Sequence, residues 1–334
     1  ERYGDDIAAE LPEVHQVVGF GGRLTGGSPV VLGPTRRAPD FDLLNLPRPA
    51  SDRPWAYVKI AEGCDRRCGF CAIPSFRGPQ RSRSLDRVVA EVDRLDVREV
   101  VLVAQDLASY GRDQGVGEKA IVALVEAVAE TIERVRLLYL YPSDLSDELV
   151  AVMCDSAMPY FDLSLQHVSR PLLRRMRRWG DGGRFLERIE AIRELEPDAA
   201  FRSSFIVGYP GETEADHDEL LAFLEAARLD WCGFFAYSEE AGTYAATLDA
   251  RVGDELRDER LAELRELQDA ITAARRDDLI GREVEVLVDE IGVARSHREA
   301  PEIDGIIVVP HHLEVGSISR VTITGAAGPD LEAA

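Results

Sequence analysis

The alternation of strand and helix patterns between Tyr57 and Tyr237 constrains the fold of this chain most. Runs of β-branched and aromatic residues predict six strands, with amphipathic helical patterns between them. Parallel neighbours need long crossover connections, so this order predicts a parallel sheet. Eight such units would close a barrel; six indicate a partial (β/α)6 barrel with its functional site at the carboxyl ends of the strands. The predicted strands are Tyr57–Ala61, Glu99–Ala104, Val135–Tyr141, Tyr160–Leu165, Phe201–Val207 and Trp231–Tyr237, and the predicted helices are Leu85–Leu95, Lys119–Glu133, Asp147–Cys154, Arg184–Leu195 and Glu214–Ala227.

The pattern changes after the last of these strands. A charged helix is predicted from Asp254 to Arg276, followed by three short alternating runs at Glu283–Val288, Gly305–Val309 and Ser319–Thr324. Turn residues separate these runs, which predicts a small antiparallel β-barrel. The fold class is therefore α/β, with a C-terminal all-β unit. The predicted divisions are a Gly- and Pro-rich linker at 31–54, the partial barrel at 55–253, a connecting helix at 254–276 and the β-barrel at 277–334.

The net charge limits which classes of molecule the chain is expected to bind. The chain has 334 residues, with 39 Lys and Arg against 61 Asp and Glu, and a net charge of −22. Such a chain repels phosphate, which disfavours non-specific nucleic-acid binding and favours a basic partner. No apolar run approaches the length of about 18 residues that a membrane span requires. We find no apolar leader and expect a cytoplasmic location; because the chain does not begin with Met, we expect it to start inside a longer protein.

Three of the five cysteines lie within eight positions, directly after the first predicted strand: Cys64, Cys68 and Cys71. Three thiolates on one loop can hold a [4Fe–4S] cluster and leave one iron without a protein ligand. That iron can chelate a small molecule and pass it an electron. A zinc site would need a fourth ligand such as His167, and a single catalytic thiol would leave the spacing unexplained. The isolated Cys154 and Cys232 are predicted to be core residues.

This loop resembles the signature of the radical S-adenosylmethionine (SAM) superfamily. Three residues separate its first two cysteines, two separate the second and third, and the aromatic Phe70 precedes the last. The surrounding sequence resembles the methylthiotransferase family within that superfamily, and most closely the branch that modifies small-subunit ribosomal protein S-twelve. The stretches that carry the resemblance are Tyr57–Cys64, Cys71–Gly78, Leu165–His167 and Phe205–Thr213, with Ile73–Ser75 and Ala300–Gly305 for the branch.

The resemblance implies a cofactor set and a reaction. Cys64, Cys68 and Cys71 would hold a [4Fe–4S] cluster whose open iron chelates SAM. An electron from a donor such as flavodoxin or ferredoxin would cleave SAM to a 5′-deoxyadenosyl radical, which abstracts hydrogen from the β-carbon of an aspartate before a methylthio group is installed. The resemblance assigns no catalytic residue beyond the cluster ligands. The candidate SAM contacts, each of which has a packing, turn or helix-capping role as its alternative, are Phe70, Gln105, Asp106, Gly208, Gly211 and Glu212.

Residues 1–30 resemble the tail of the N-terminal methylthiotransferase domain of this family. That domain carries three further cysteines for a second [4Fe–4S] cluster, and the chain lacks cysteines at those positions. A second cluster is therefore expected only in the full-length protein. We predict that the chain alone cleaves SAM without completing methylthiolation.

The C-terminal unit gives a second, independent argument about the substrate. It resembles a TRAM domain, a domain that contacts RNA in tRNA-modifying relatives. Residues 277–334 carry twelve acidic residues, four arginines and no lysine, so a basic ribosomal protein fits better than tRNA. The alternatives are a tRNA adenosine methylthiotransferase and a non-catalytic metal-binding module on the ribosome. One basic run is either a solvated helix face or a contact for substrate or ribosomal RNA: Arg170, Arg174, Arg175, Arg177 and Arg178.

Overall fold

The computed structural model describes residues 51–117 and 119–334. The prediction for residues 1–30, and that for the linker up to residue 50, lie outside the described residues. Within the described ranges, no helix combines the length and the apolar character that crossing a membrane requires.

Six parallel strands form two three-stranded sheets, in the orders β1-β4-β5 and β6-β7-β8. An isolated parallel bridge between Leu140 and Leu163 joins the two sheets. The N–H of Leu140 donates to the carbonyl of Asp162 at 2.9 Å, and the N–H of Ser164 donates to the carbonyl of Leu140 at 2.9 Å. The predicted partial (β/α)6 barrel is thereby confirmed. The strands, with the small hairpin β2-β3 beside the cysteine loop, are β1 (Trp55–Lys59), β2 (Ala61–Glu62), β3 (Arg81–Ser82), β4 (Glu99–Val103), β5 (Arg134–Leu137), β6 (Tyr160–Gln166), β7 (Ala200–Val207) and β8 (Trp231–Ala236).

The longer helices lie where the periodicity predicts them, and capping residues set their first turns. The Asp181 side chain accepts from the N–H of Arg184 at 3.1 Å, so that helix begins two residues before the predicted start. Thr213 and Asp216 form a capping box at the next helix. The helices are α1 (Ile73–Arg77), α2 (Leu85–Val92), α3 (Ala120–Ala129), α4 (Asp147–Asp155), α5 (Arg170–Arg175), α6 (Gly182–Leu195), α7 (Glu214–Ala227) and α8 (Asp254–Asp277).

The two faces of each parallel strand meet different surroundings. Val58 in β1 and Ile60 directly after it are fully buried in the core between sheet and helices. Burial of each such side chain stabilises the fold by about 1.5–3 kcal/mol. The alternate residues, Tyr57 and Lys59, face the barrel interior because successive side chains point to opposite faces of a strand. Tyr57 packs there against a small apolar cluster that includes Val101 and Leu138.

The C-terminal unit is a closed five-stranded barrel in the order β10-β11-β13-β12-β9. The predicted small antiparallel β-barrel is confirmed, with one exception in strand direction: β11 and β13 pair in parallel. In a closed ring of five strands the directions cannot alternate everywhere, so at least one pair must be parallel. Strands β10 and β13 were not predicted, since each is only three or four residues long. The strands are β9 (Glu283–Glu290), β10 (Val293–Arg295), β11 (Ile307–Val308), β12 (Ile318–Ala327) and β13 (Asp330–Ala333).

This small barrel covers the amino-terminal end of the parallel strands. The segment between β10 and β11 provides most of the contacts. The indole Nε1 of Trp231 donates to the carbonyl of Arg298 at 2.7 Å, and Tyr160 Oη donates to Asp304 Oδ2 at 2.5 Å. Trp231 and Tyr160 each begin a parallel strand. The carboxyl end of the partial barrel therefore lies opposite the C-terminal domain.

At the centre of this contact is the fully buried carboxylate of Glu99, the first residue of β4. Its Oε1 accepts from Arg136 Nε at 2.8 Å, and Arg295 Nη1 of the C-terminal domain lies 3.2 Å from Oε2. Arg134 Nε lies 3.5 Å from Oε2. Burial alone favours the neutral acid, but the three guanidinium groups outweigh it and lower the pKa of Glu99 to about 2. One ionised carboxylate thus joins the two domains.

Candidate active site

The cysteine loop runs from β2 to α1 at the carboxyl end of β1. Its first turn requires glycine: Gly63 has φ +84°, and a Cβ there would lie 2.2 Å from the carbonyl oxygen of Pro79. The N–H of Gly63 donates to Gln105 Oε1 at 2.8 Å, and the N–H of Cys64 donates to the carbonyl of Gly78 at 3.2 Å. Gln105, a predicted SAM contact that follows β4, therefore also fixes the start of the loop.

The middle of the loop is held from the other side of the barrel. The N–H of Gly69 donates to the carbonyl of Met176 at 2.7 Å, and the N–H of Ala245 donates to the carbonyl of Gly69 at 2.8 Å. A Cβ on Gly69 would lie 2.9 Å from Tyr209 Oη. The adjacent Phe70 is half-buried against the main core. Contacts from both halves of the barrel therefore fix the loop.

The three thiols lie close enough to influence one another. Cys64 is buried, and burial together with the charges of Asp106, Cys68 and Cys71 raises the pKa of its thiol to about 11. Burial and the charge of Cys68 also raise the pKa of Cys71, against the opposing charge of Arg178. Ionising Cys64 and Cys71 together is therefore unfavourable unless a cationic group replaces their protons.

The donor set indicates what kind of group would fit. A mononuclear zinc site needs all of its donors about 2.0–2.3 Å from one ion. Within residues 51–117 and 119–334, no three His, Cys, Asp or Glu side chains converge in that way. An iron–sulfur cluster instead takes each thiolate on a separate iron, so its ligands need not converge on one point. Cys64, Cys68 and Cys71 are three neighbouring thiols on one loop, and each could bind a separate iron. They therefore fit an iron–sulfur cluster.

His167, the fourth zinc ligand considered from sequence, has a local structural role. It is buried, and its Nδ1 accepts from the N–H of Ser169 at 3.1 Å, at the start of α5. Burial lowers the pKa of His167 to about 4, so the imidazole is neutral at physiological pH.

A stack of two arginines on a tyrosine lies beside the cysteine loop. The guanidinium of Arg66 lies 3.8 Å from the ring centroid of Tyr141, and that of Arg178 lies 4.0 Å from it. Arg66 Nε donates to Asp106 Oδ2 at 2.6 Å, and its Nη2 donates to Asp144. Despite burial, these two carboxylates raise the pKa of Arg66. Asp106, a predicted SAM contact, thus also positions Arg66.

Arg178 reaches the cysteines themselves. Its Nη1 donates to Cys68 Sγ at 3.4 Å, and its Nη2 donates to the carbonyl of Ser164 in β6. Other members of the arginine run have different surroundings: Arg177 lies over the Tyr244 ring at 3.7 Å, while Arg174 is exposed. The run is therefore not a uniform solvated face.

The turn after β7 brings together the remaining predicted contacts. Glu212 Oε2 accepts from the N–H of Gly208 at 2.6 Å, and its Oε1 accepts from Arg260 Nη1 at 2.9 Å. Burial raises the pKa of Glu212, although these donors oppose the rise. Gly208 and Gly211 both have positive φ, and a Cβ on Gly211 would lie 2.4 Å from Arg175 Nη1. Glu212 therefore stabilises this turn through hydrogen bonds to the turn backbone and to Arg260.

Sequence reasoning missed four side chains near the cysteine loop. Tyr141 ends the third predicted strand and Asp144 follows it, where the carboxyl-end rule points to functional residues. Arg66 lies inside the cysteine motif itself, and Arg178 belongs to the arginine run. The signals were present, but no pattern showed that these four residues meet.

Comparison with known proteins finds two family models and several relatives that are similar to this chain. The model of the radical SAM superfamily matches residues 58–224, and that of the TRAM domain matches residues 280–334. Ribosomal protein uS12 methylthiotransferase RimO of Moorella thermoacetica is 44% identical over 325 residues, which cover 92% of this chain and 74% of the relative. The protein of the same name from Kineococcus radiotolerans is 41% identical over 387 residues, covering 99% and 79%.

Among solved structures, coproporphyrinogen III oxidase (HemN) from Escherichia coli, a radical SAM enzyme, has a similar fold. It aligns with a TM-score of 0.51 at 14% identity, over 69% of this chain and 59% of that chain. At this identity the likeness concerns the fold alone. Together, the family models and the relatives show that the chain belongs to the radical SAM superfamily and, within it, to the family of ribosomal protein uS12 methylthiotransferases.

Proposed function

We propose that this chain is the radical-generating part of an enzyme that installs a methylthio group on the β-carbon of an aspartate in ribosomal protein uS12. Membership of the radical SAM superfamily implies a [4Fe–4S] cluster and SAM. The observation that carries the proposal is the three-cysteine loop, fixed at the carboxyl end of a parallel barrel whose other end is covered.

The residues that would hold the cluster are Cys64, Cys68 and Cys71. When bound, the cluster supplies the electron that cleaves SAM at the iron left open by three protein ligands. Gln105 and Asp106 follow β4, and Gly208 and Gly211 follow β7, so they lie at the same end of the barrel as the cysteine loop. This position supports their proposed role, with Phe70 and Glu212, in SAM binding.

The chain's own residues fix the site and limit water. Gly63 and Gly69 hold the loop by backbone hydrogen bonds to both halves of the barrel, which reduces the freedom of the thiols. The C-terminal domain covers the amino-terminal end and so excludes solvent from that side. Lys59, at the end of β1, pairs with Glu62, its Nζ lying 2.5 Å from Glu62 Oε2 beside the cysteine loop.

The surface of the C-terminal domain supports a basic protein as substrate. Eight of the twelve acidic residues between 277 and 334 are exposed, but only two of the four arginines, because Arg295 and Arg298 are buried against the parallel barrel. The exposed surface is thus more one-sidedly acidic than the sequence alone shows. An acidic surface attracts a basic ribosomal protein and repels tRNA.

Deuterium transfer tests this proposal without requiring the complete reaction. The anaerobically reconstituted chain is incubated with SAM, dithionite and uS12 carrying β-deuterated aspartate, and 5′-deoxyadenosine is analysed by mass spectrometry. We expect deuterium in 5′-deoxyadenosine, and none with a uS12 variant in which the target aspartate is replaced by alanine. Stimulation of SAM cleavage by tRNA, with no transfer from uS12, would overturn the substrate assignment.

The loop is tested in the same assay. Cys64→Ala is expected to abolish 5′-deoxyadenosine formation, whereas Cys154→Ala, at a cysteine on α4, is expected to retain it. Equal activity of the two variants would contradict the proposed ligand set.

A further inference from the structure

Arg178 is held against the cysteine loop by contacts of three kinds. Its Nη1 donates to Cys68 Sγ at 3.4 Å, its Nη2 donates to the carbonyl of Ser164, and its guanidinium lies over the Tyr141 ring at 4.0 Å. These contacts involve the loop, β6 and the segment after β5. The orientation of the guanidinium is therefore set by the fold.

The charge of Arg178 is not neutralised locally. Arg66, on the other face of Tyr141, pairs with Asp106 and Asp144. By contrast, no carboxylate among the described residues lies within ion-pair distance of Arg178, and its buried Nε has no hydrogen-bond partner there. A cation without a counter-ion in a partly buried site acts strongly on nearby negative charge. The Cys68 sulfur, which carries a negative charge once it is a thiolate, accepts a hydrogen bond from this guanidinium.

We propose that Arg178 is a positioning residue that hydrogen-bonds the Cys68 thiolate and raises the reduction potential of the bound cluster. The inference rests on the proposed function, since it requires a cluster on this loop. Adding one electron increases the negative charge of the cluster and its ligands. A cationic donor to a ligand sulfur stabilises that reduced state more than the oxidised state.

The consequence concerns the electron-transfer step alone. The electron comes from the external reductant, and no bond within the chain forms or breaks. Without the guanidinium, the cluster should be harder to reduce. The loss of one charge-assisted hydrogen bond corresponds to roughly a tenfold change in the reduction equilibrium, which is about 59 mV for one electron.

Redox titration of the reconstituted chain, followed by electron paramagnetic resonance (EPR), measures this effect directly. We expect Arg178→Gln to lower the midpoint potential by about 59 mV, with Arg178→Lys between it and the unaltered chain. Arg174→Gln is the matched control, because Arg174 belongs to the same run but is exposed. If Arg178→Gln fails to take up the cluster, the Arg178→Lys midpoint decides: a value equal to that of the unaltered chain overturns the inference.

Iron content and 5′-deoxyadenosine formation distinguish a failure of the proposed function from a failure of the proposed role of Arg178. A chain that binds no cluster and cleaves no SAM contradicts the proposed function itself. A chain that does both, with equal midpoints for Arg178→Gln and Arg174→Gln, contradicts only the role of Arg178. A merely structural role would change unfolding but leave the midpoint in place.

Discussion

At the amino-terminal end of the parallel strands a buried carboxylate is paired with arginines, whereas at the carboxyl end the thiols of Cys64 and Cys71 have raised pKa values. Glu99 is ionised between arginines of both domains. Cys64, by contrast, has a raised pKa, chiefly because its thiol is buried. The buried charge of Glu99 at the amino-terminal end is therefore balanced within the fold, whereas the cysteine loop at the carboxyl end is arranged to bind a ligand.

The largest expected effect is the loss of SAM cleavage when a cysteine at the carboxyl end is replaced. Cys68→Ala should abolish SAM cleavage but change the free energy of unfolding of the cluster-free chain little, because the Cys68 side chain is only partly buried. Anaerobic product analysis and urea denaturation check the two parts. A strongly destabilised Cys68→Ala chain would show that the cysteine loop also stabilises the fold.

The next largest effect is on stability at the amino-terminal end. Glu99→Ala leaves three arginines without their shared carboxylate, and breaking such a buried pair costs about 3–5 kcal/mol. Urea denaturation measures this loss. The control is Glu133→Ala, which removes an exposed pair with Arg98 and should cost less than about 1 kcal/mol. Similar losses in the two variants would remove the distinction between the two ends.

Acid should affect the paired end through the same carboxylate. The pKa of Glu99 is about 2 in the folded chain, below the value of about 4.3 for an unfolded glutamate. Its contribution to stability is therefore complete above pH of about 4.3 and is lost as the pH falls towards 2. Denaturation at several pH values should show a smaller loss over this range for Glu99→Gln. An unchanged pH profile would mean that other carboxylates dominate.

The smallest effect concerns the exposed acidic surface. Replacing Glu314 and Glu332 by lysine should weaken uS12 binding severalfold at low salt and much less at high salt, because exposed charges act mainly through long-range attraction. Fluorescence anisotropy with labelled uS12 measures the affinity. Tighter uS12 binding by the doubly substituted chain would contradict attraction through this surface.

The sequence predicted the regular elements because their periodicity is local. Hydrophobic alternation located all six parallel strands, and β1 was displaced by only two residues from its prediction, Tyr57–Ala61. The two-residue strand β11 was also anticipated, within the longer predicted run Gly305–Val309. Short elements without a full period, such as α1, were not predicted.

Contacts between distant segments were not readable from the sequence. Glu99 begins a predicted strand, and no pattern in the sequence indicated that it is buried beside Arg295 of the C-terminal domain. The sequence left Arg178 either on a solvated helix face or in a contact for substrate or ribosomal RNA. It reaches Cys68 because α5 ends beside the cysteine loop. Such pairings depend on how the chain packs over long distances, which no local pattern encodes.

EPR spectroscopy of the reduced, reconstituted chain with and without SAM tests most directly whether the cysteine loop holds a cluster with an open iron. Iron analysis of the same sample should give about four irons per chain. We expect the EPR spectrum to change when SAM is added, because SAM would bind at the iron that lacks a protein ligand. Zinc in a closed four-ligand site, or a cluster spectrum that SAM leaves unaltered, would contradict the account.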